Sequence, residues 1–138
     1  MAYISYSETG DNPLTKLLGH NPELLKSWMA LLDSFYQSCC LDRELQEEVR
    51  RAVAYQIGCA YCMSHGCPTS LIEDVKTKIA VDFAKKVVQT QKKITKADIE
   101  LLKPHFSEKE ISELSAFIPN VIQKLGFGLR QSLAVQRS

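Results

Sequence analysis

The segment Gly58-Cys59-Ala60-Tyr61-Cys62-Met63-Ser64-His65-Gly66 packs two thiols and an imidazole into one short stretch of chain. Two cysteines separated by two residues lie about one helical turn apart. That is close enough for a short disulfide, and the positive end of a helix favours a thiolate over a thiol. The spacing therefore suits reversible oxidation. His65 follows Cys62 by three residues and falls within its reach on one side of a helix, where an imidazole can take up or return a thiol proton near neutral pH.

The same residue types carry other chemistries. A cysteine is often an inert, small, buried hydrophobe. Cys59, Cys62, His65 and Cys67 also make a set that zinc accepts. Four ligands crowded into one short helix and its exit reach tetrahedral positions only with difficulty, however, and no distant Cys or His pair closes the site, so neither metal nor cofactor is expected. Cys67 is either an additional resolving thiol or a packing residue at the helix exit, with packing preferred. Cys39 and Cys40, adjacent at a helix end, are read as packing thiols, and His20 and His105 as capping or surface residues.

These residues need helices to position them. His20-Asn21-Pro22-Glu23 reads as a helix start, because Asn21 can cap, Pro22 is preset for the first turn and Glu23 complements the positive end. Leu24, Leu25, Trp28, Leu31, Leu32 and Phe35 then form an apolar stripe to about Ser38. Asp42 offers a second cap, before a helix whose buried face carries Leu45, Val49, Ala52, Val53 and Ile57. Its other face holds Arg43, Glu44, Glu47, Arg50 and Arg51, and Gly58 ends it. A short third helix begins around Cys59 and stops by Gly66 or Pro68. Ser70 with Glu73, Thr95 with Asp98, and Ser107 with Glu110 predict capping boxes for three more helices. Ile72, Val75, Ile79, Phe83 and Val87 line the first of these, with the lysines between 76 and 96 as a solvated face. Ile111, Leu114, Phe117, Ile118, Ile122 and Leu125 line the last, where Pro119 is a candidate kink. The expectation is six helices, no sheet, and a polar flexible arm over residues 1–12.

The chain has 138 residues, 45% of them apolar and 24% charged, with 17 Lys plus Arg against 16 Asp plus Glu. This balance predicts one folded domain over 1–138 and gives no electrostatic reason to expect nucleic acid or an anionic membrane. No stretch approaches the roughly 18 apolar residues of a membrane span, and the N-terminus lacks a cationic start followed by an apolar run, so a cytoplasmic protein is expected. Five cysteines is an odd number, which argues against a purely structural disulfide framework.

Glu47, then eleven residues, then Cys59-Ala60-Tyr61-Cys62 and a following histidine resemble the alkylhydroperoxidase D branch of the carboxymuconolactone decarboxylase superfamily. His20 to Leu25 resembles the family's opening helix, and Phe106 to Ile111 a later one. The resemblance implies an all-α single-domain bundle of about six helices with the CxxC at the start of a short helix. It makes Cys59 and Cys62 a pair that cycles between dithiol and disulfide. Glu47 and His65 become members of a proton relay, and Tyr61, a common family variant, offers a hydroxyl near the thiols. The family places its histidine four residues after the second cysteine, a position held here by Gly66. One residue turns a helical side chain by about 100°, which keeps His65 near Cys62 and weakens a relay to Cys59. The resemblance also implies a homo-oligomer, as a dimer, trimer or hexamer.

The function expected first is an antioxidant oxidoreductase. One thiolate attacks a peroxide, with Cys62 favoured over Cys59, and the other thiol resolves the sulfenic acid to a disulfide. A protein or small thiol, a peroxiredoxin among the candidates, supplies electrons. A variant of this reading has no peroxide and reduces a partner's disulfide. The alternatives are a lyase of the carboxymuconolactone decarboxylase type, which has no use for a dithiol, and a zinc or redox sensor without turnover.

Overall fold

An asparagine followed by proline opens each of the first two helices. Asn12 caps α1 (Pro13–Leu18) by accepting the Thr15 amide at 3.0 Å, and Thr15 Oγ1 accepts the Asn12 amide in return. Asn21 caps α2 (Pro22–Gln37) through the Leu24 amide at 3.1 Å. The other elements are α3 (Arg43–Ile57), α4 (Ala60–Met63), α5 (Val75–Thr90), α6 (Lys96–Glu100) and α7 (Glu108–Arg130). This computed structural model describes residues 2–58, 60–90 and 94–130, apart from the side chains of 61, 62 and 126–130. Among the described residues there is no strand, so the chain has the all-helical architecture expected from its sequence. No helix among them is long and apolar enough to cross a membrane.

The helix beyond the expected six is α1, and its Asn-Pro start is the same signal that marks α2. Residues ahead of it, read from sequence as a flexible arm, make specific contacts: Ser7 bonds the Lys16 carbonyl, and His20 Nε2 lies 2.6 Å from the Ser5 carbonyl.

The core is built on α3. Val49, Ala52, Val53 and Ala54 are fully buried, and α3 packs along α5 and α7. Leu114, Phe117 and Ile118 supply the α7 side, and Ala80, Phe83 and Ala84 the α5 side. Burial of each Val, Leu, Ile or Phe contributes about 1.5–3 kcal/mol. Phe117 meets Phe35 and Tyr36 edge-on, with ring centroids 5.6 and 6.2 Å away, which joins α2 to the core. The rest of the α2 stripe is less covered than its periodicity predicts. Leu25 is buried, but Leu24 and Leu31 are each half exposed.

Two caps form as expected, Thr95 with Asp98 and Ser107 with Glu110. The third moves. Ser70 and Glu73 precede α5 rather than starting it; Asp74 caps it by accepting the Thr77 amide at 3.0 Å and the Thr77 hydroxyl at 2.6 Å. Asp74 lies nearer the first buried residue, Thr77, and its carboxylate suits the positive helix end, so Ile72 packs from the preceding loop. The lysine face of α5 is largely exposed as expected, but two of its lysines are paired with other helices. Lys76 pairs with Glu110 at 2.5 Å, and Lys86 pairs with the buried carboxylate of Asp98. Helix α7 continues through Pro119 to Arg130. Pro119 and Ser115 are both exposed, so the carbonyl that loses its helical donor can face water.

The Lys86 ammonium, then the Thr95 amide, hold the Asp98 carboxyl down at about 2, from an ordinary 3.8. A depressed acid stabilises the fold above its unfolded pKa and loses that contribution as pH falls through its folded one. Asp98→Asn is therefore expected to lower stability by a constant amount above pH 5. The gap to wild type should close between about pH 4 and pH 2, as read by urea unfolding at each pH.

Candidate functional site

Helix α3 ends where Gly58 takes a left-handed conformation, φ 79°, and its amide returns to the Ala54 carbonyl at 2.9 Å. That turn delivers the chain to α4, which carries Tyr61 and Cys62 in its backbone. Cys59 lies outside the described residues, as do the side chains of Tyr61 and Cys62. Helix α4 is a single turn, closed by the Ser64 amide on the Ala60 carbonyl at 3.1 Å. His65 therefore belongs to the turn that follows, and the helical three-residue spacing from Cys62 does not govern where its ring points.

Contacts from α3 fix His65 instead. Arg50 is only 9% exposed, although the sequence pattern assigns it to the polar face. Its Nε and Nη2 donate to Glu47 Oε2 at 3.1 and 2.9 Å, and Nη2 also donates to the His65 carbonyl at 3.1 Å. A buried guanidinium is costly unless acceptors surround it, so it binds the α3 carboxylate to the turn after α4. One residue further along α3, Glu48 accepts from Arg51 Nη1 at 2.9 Å, from the Thr69 hydroxyl at 2.5 Å and from the Thr69 amide at 3.2 Å. Burial pushes the Glu48 carboxyl up, but the Thr69 and Arg51 bonds outweigh it and leave it below the ordinary 4.5. The exit from α4 is thus stitched to α3 at His65 and again at Thr69.

Between these stitches Gly66 adopts φ 131°, a conformation L side chains rarely take, and a Cβ there would come within 3.0 Å of Arg51 Nε. A histidine at position 66, where the resemblance places one, would therefore be strained. Cys67, beside it, is exposed rather than packed.

The His65 ring borders a cavity of about 110 Å³ shared with Arg50 and Lys124, its apolar wall formed by Leu14, Trp28, Met29, Leu32 and Leu125. Desolvation there, then the positive charges of Arg50 and Lys124, lower the His65 pKa below 6.5, while Glu47 opposes them. The imidazole is consequently neutral at pH 7 and able to accept a proton. Glu47 itself opens onto a wider cleft of about 590 Å³ between α3 and the loop leading to α5. Burial and then the Glu47 charge raise the Tyr36 pKa above 10.0, so its hydroxyl stays protonated.

The structure thus brings Glu47 and His65 together through Arg50. Sequence reading passed over Arg50; its spacing of three from Glu47 was the available signal. Tyr36, which belongs to no motif in the sequence, was also missed.

These helices define an all-α protein with the half-buried carboxylate of Glu47 tied to the exit of its shortest helix. Neither a protein-family model nor a curated protein matches the sequence. The fold is similar to the 1.70 Å crystal structure of an uncharacterized peroxidase-related protein from Silicibacter sp. TM1040. The TM-score is 0.70, with 19% sequence identity over 86% of this chain and 73% of that one, a likeness of fold.

Two outcomes are expected from this geometry. By NMR titration the His65 ring should show a pKa below 6.5, moving up in Lys124→Gln and down in Glu47→Gln. Because the unfolded histidine protonates first, the stability His65 contributes is complete above pH 6.5 and fades as pH falls. Gly66→Ala should cost about 1–3 kcal/mol, read as a lower urea midpoint with an unchanged slope.

Proposed function

We propose that the chain is a thiol-dependent oxidoreductase that reduces peroxides, or the disulfide of a partner, by cycling Cys59 and Cys62 between dithiol and disulfide. The observation that carries this reading is the buried Arg50, bonded at once to Glu47 and to the backbone of His65. It supports the residue set that the CxxC resemblance nominates, by a contact that spacing alone does not supply. The name of the structural neighbour, a peroxidase-related protein, agrees with it.

In the proposed cycle His65, neutral at pH 7, takes the proton of the Cys62 thiol. The thiolate attacks one peroxide oxygen, the O–O bond breaks, and the departing alkoxide or hydroxide collects the proton from the imidazolium. Cys62 is then a sulfenic acid. The Cys59 thiol attacks its sulfur, the S–O bond breaks, water leaves, and a disulfide closes. Two electrons from a protein or small thiol, such as a peroxiredoxin, restore the pair. Arg50 keeps the Glu47 carboxylate and the His65 turn in register, and Tyr61 and Cys67 are accessory groups. We further read the chain as a homo-oligomer, consistent with the half-exposed Leu24 and Leu31 on α2.

One equivalent of peroxide added to reduced protein is expected to remove two free thiols in wild type, with mass spectrometry locating a Cys59–Cys62 disulfide. Cys59→Ser should trap the sulfenic acid on Cys62. A pair that stays reduced under excess peroxide but is oxidised by a disulfide substrate would select the reductase form. A pair inert to both would end the proposal.

A further inference from the structure

The cavity beside His65 and the cleft beside Glu47 differ in charge as well as in size. Carboxylates outnumber cations along the cleft, where Glu44, Glu47, Glu48, Glu73 and Asp74 face only Arg43 and Arg51. Among the described residues no carboxylate lines the cavity, and its charged groups are Arg50 and Lys124. Three helices wall it. Helix α1 supplies Leu14, α2 supplies Trp28, Met29 and Leu32, and α7 supplies Leu125. Leu14 and Leu125 are buried members of the core, so two sides of the wall are fixed by close packing and yield little to an oversized occupant.

We propose that this cavity seats the organic group of the peroxide and restricts the substrate to hydroperoxides of compact alkyl groups, with Trp28, Met29 and Leu32 setting the limit. The inference rests on the peroxide form of the proposed cycle and names its substrate more narrowly. In that cycle the Cys62 thiolate bonds to the outer oxygen, the O–O bond breaks, and its electron pair leaves with the alkoxide. Cys62 is oxidised to the sulfenic acid, and the alkoxide takes the proton of the His65 imidazolium and departs as an alcohol. The alkoxide oxygen must therefore stand at the His65 ring, with the carbon it carries in the space that the ring borders.

Charge and volume both favour the cavity over the cleft. Negative charge develops on the leaving oxygen, which Arg50 and Lys124 stabilise and the carboxylates of the cleft would oppose. An apolar cavity of about 150 Å³ holds benzene, or about 25 Å³ for each carbon. At about 110 Å³ the cavity beside His65 is smaller than that. On the same scale it takes about four carbons, a tert-butyl group, and has no room for a phenyl ring on the same carbon.

The test gives the reduced full-length chain tert-butyl hydroperoxide, cumene hydroperoxide or hydrogen peroxide and follows the Cys59 and Cys62 thiols by mass spectrometry. The first two are both tertiary and differ by a phenyl in place of a methyl; the third has no organic group to seat. With each rate divided by that of free cysteine, wild type is expected to prefer tert-butyl over cumene hydroperoxide by at least about tenfold, the least that a pocket exacts for one surplus methylene. Leu32→Ala, which widens the wall, should shrink that preference severalfold. Oxidation by hydrogen peroxide without a tert-butyl preference, or a preference that Leu32→Ala leaves unchanged, overturns the inference while the oxidoreductase reading stands. A pair inert to all three peroxides ends the peroxide reading and this inference with it. Binding gives a second measurement that needs no turnover. Trp28 is the chain's one tryptophan, so a single indole N–H signal in the NMR spectrum reports on the cavity. The product alcohol tert-butanol should shift that signal and the His65 ring signals saturably, and 2-phenyl-2-propanol should not. Equal shifts with both alcohols, or none with either, would overturn the cavity as the seat of the organic group.

Discussion

A guanidinium that is nine-tenths buried has to find acceptors for its hydrogens, and Arg50 meets that demand in a way that organises the region around it. One acceptor, Glu47, lies a turn back on the same helix, and the other is the carbonyl of His65 beyond α4. Neither could be held if α3 were free to rotate. The fully buried Val49, Ala52 and Val53 lock its opposite face against α5 and α7, so hydrophobic packing on one side fixes polar geometry on the other.

The same division of labour recurs along α3. Glu48 holds Thr69, and Gln46, almost fully buried, donates to the Phe35 carbonyl at 2.6 Å and so joins α2 to the bundle. Arg43 stacks 4.2 Å above the Tyr36 ring. Polar residues that look solvent-facing on a helical wheel thus attach α3 to the segments without much apolar surface of their own. A one-turn helix such as α4 cannot persist by backbone hydrogen bonding alone, and the bonds that follow it at 65 and 69 compensate.

Electrostatics then assigns separate tasks to similar groups. His65, bordered by a partly desolvated cavity and two cations, stays neutral at physiological pH. Asp98, caught between Lys86 and a capping amide, stays charged well into acid. Burial, then the Glu113 charge, push the Cys39 thiol up to about 11. Residue type alone predicts none of these differences; they come from which charges the packing brings near.

The sequence by itself determined the helical class, through apolar residues at helical spacing, and most helix starts, through Asn21-Pro22, Thr95 with Asp98 and Ser107 with Glu110. It also determined the segment in which to look for redox chemistry, because CxxC spacing is a local property of the chain. These features are legible because they depend on residues within one or two turns of each other. What only the tertiary structure decided depends on residues far apart in sequence. Arg50 is buried because α4's exit folds over it, Gly66 holds a φ of 131° with the Arg51 side chain beside it, and Lys76 and Lys86, though still partly exposed, are paired because Glu110 and Asp98 come within reach. Helical periodicity states which face of a helix is polar. Whether that face meets water or another segment is settled by the free energy of the whole packed chain, in which a buried charge is admitted only where its partners already stand.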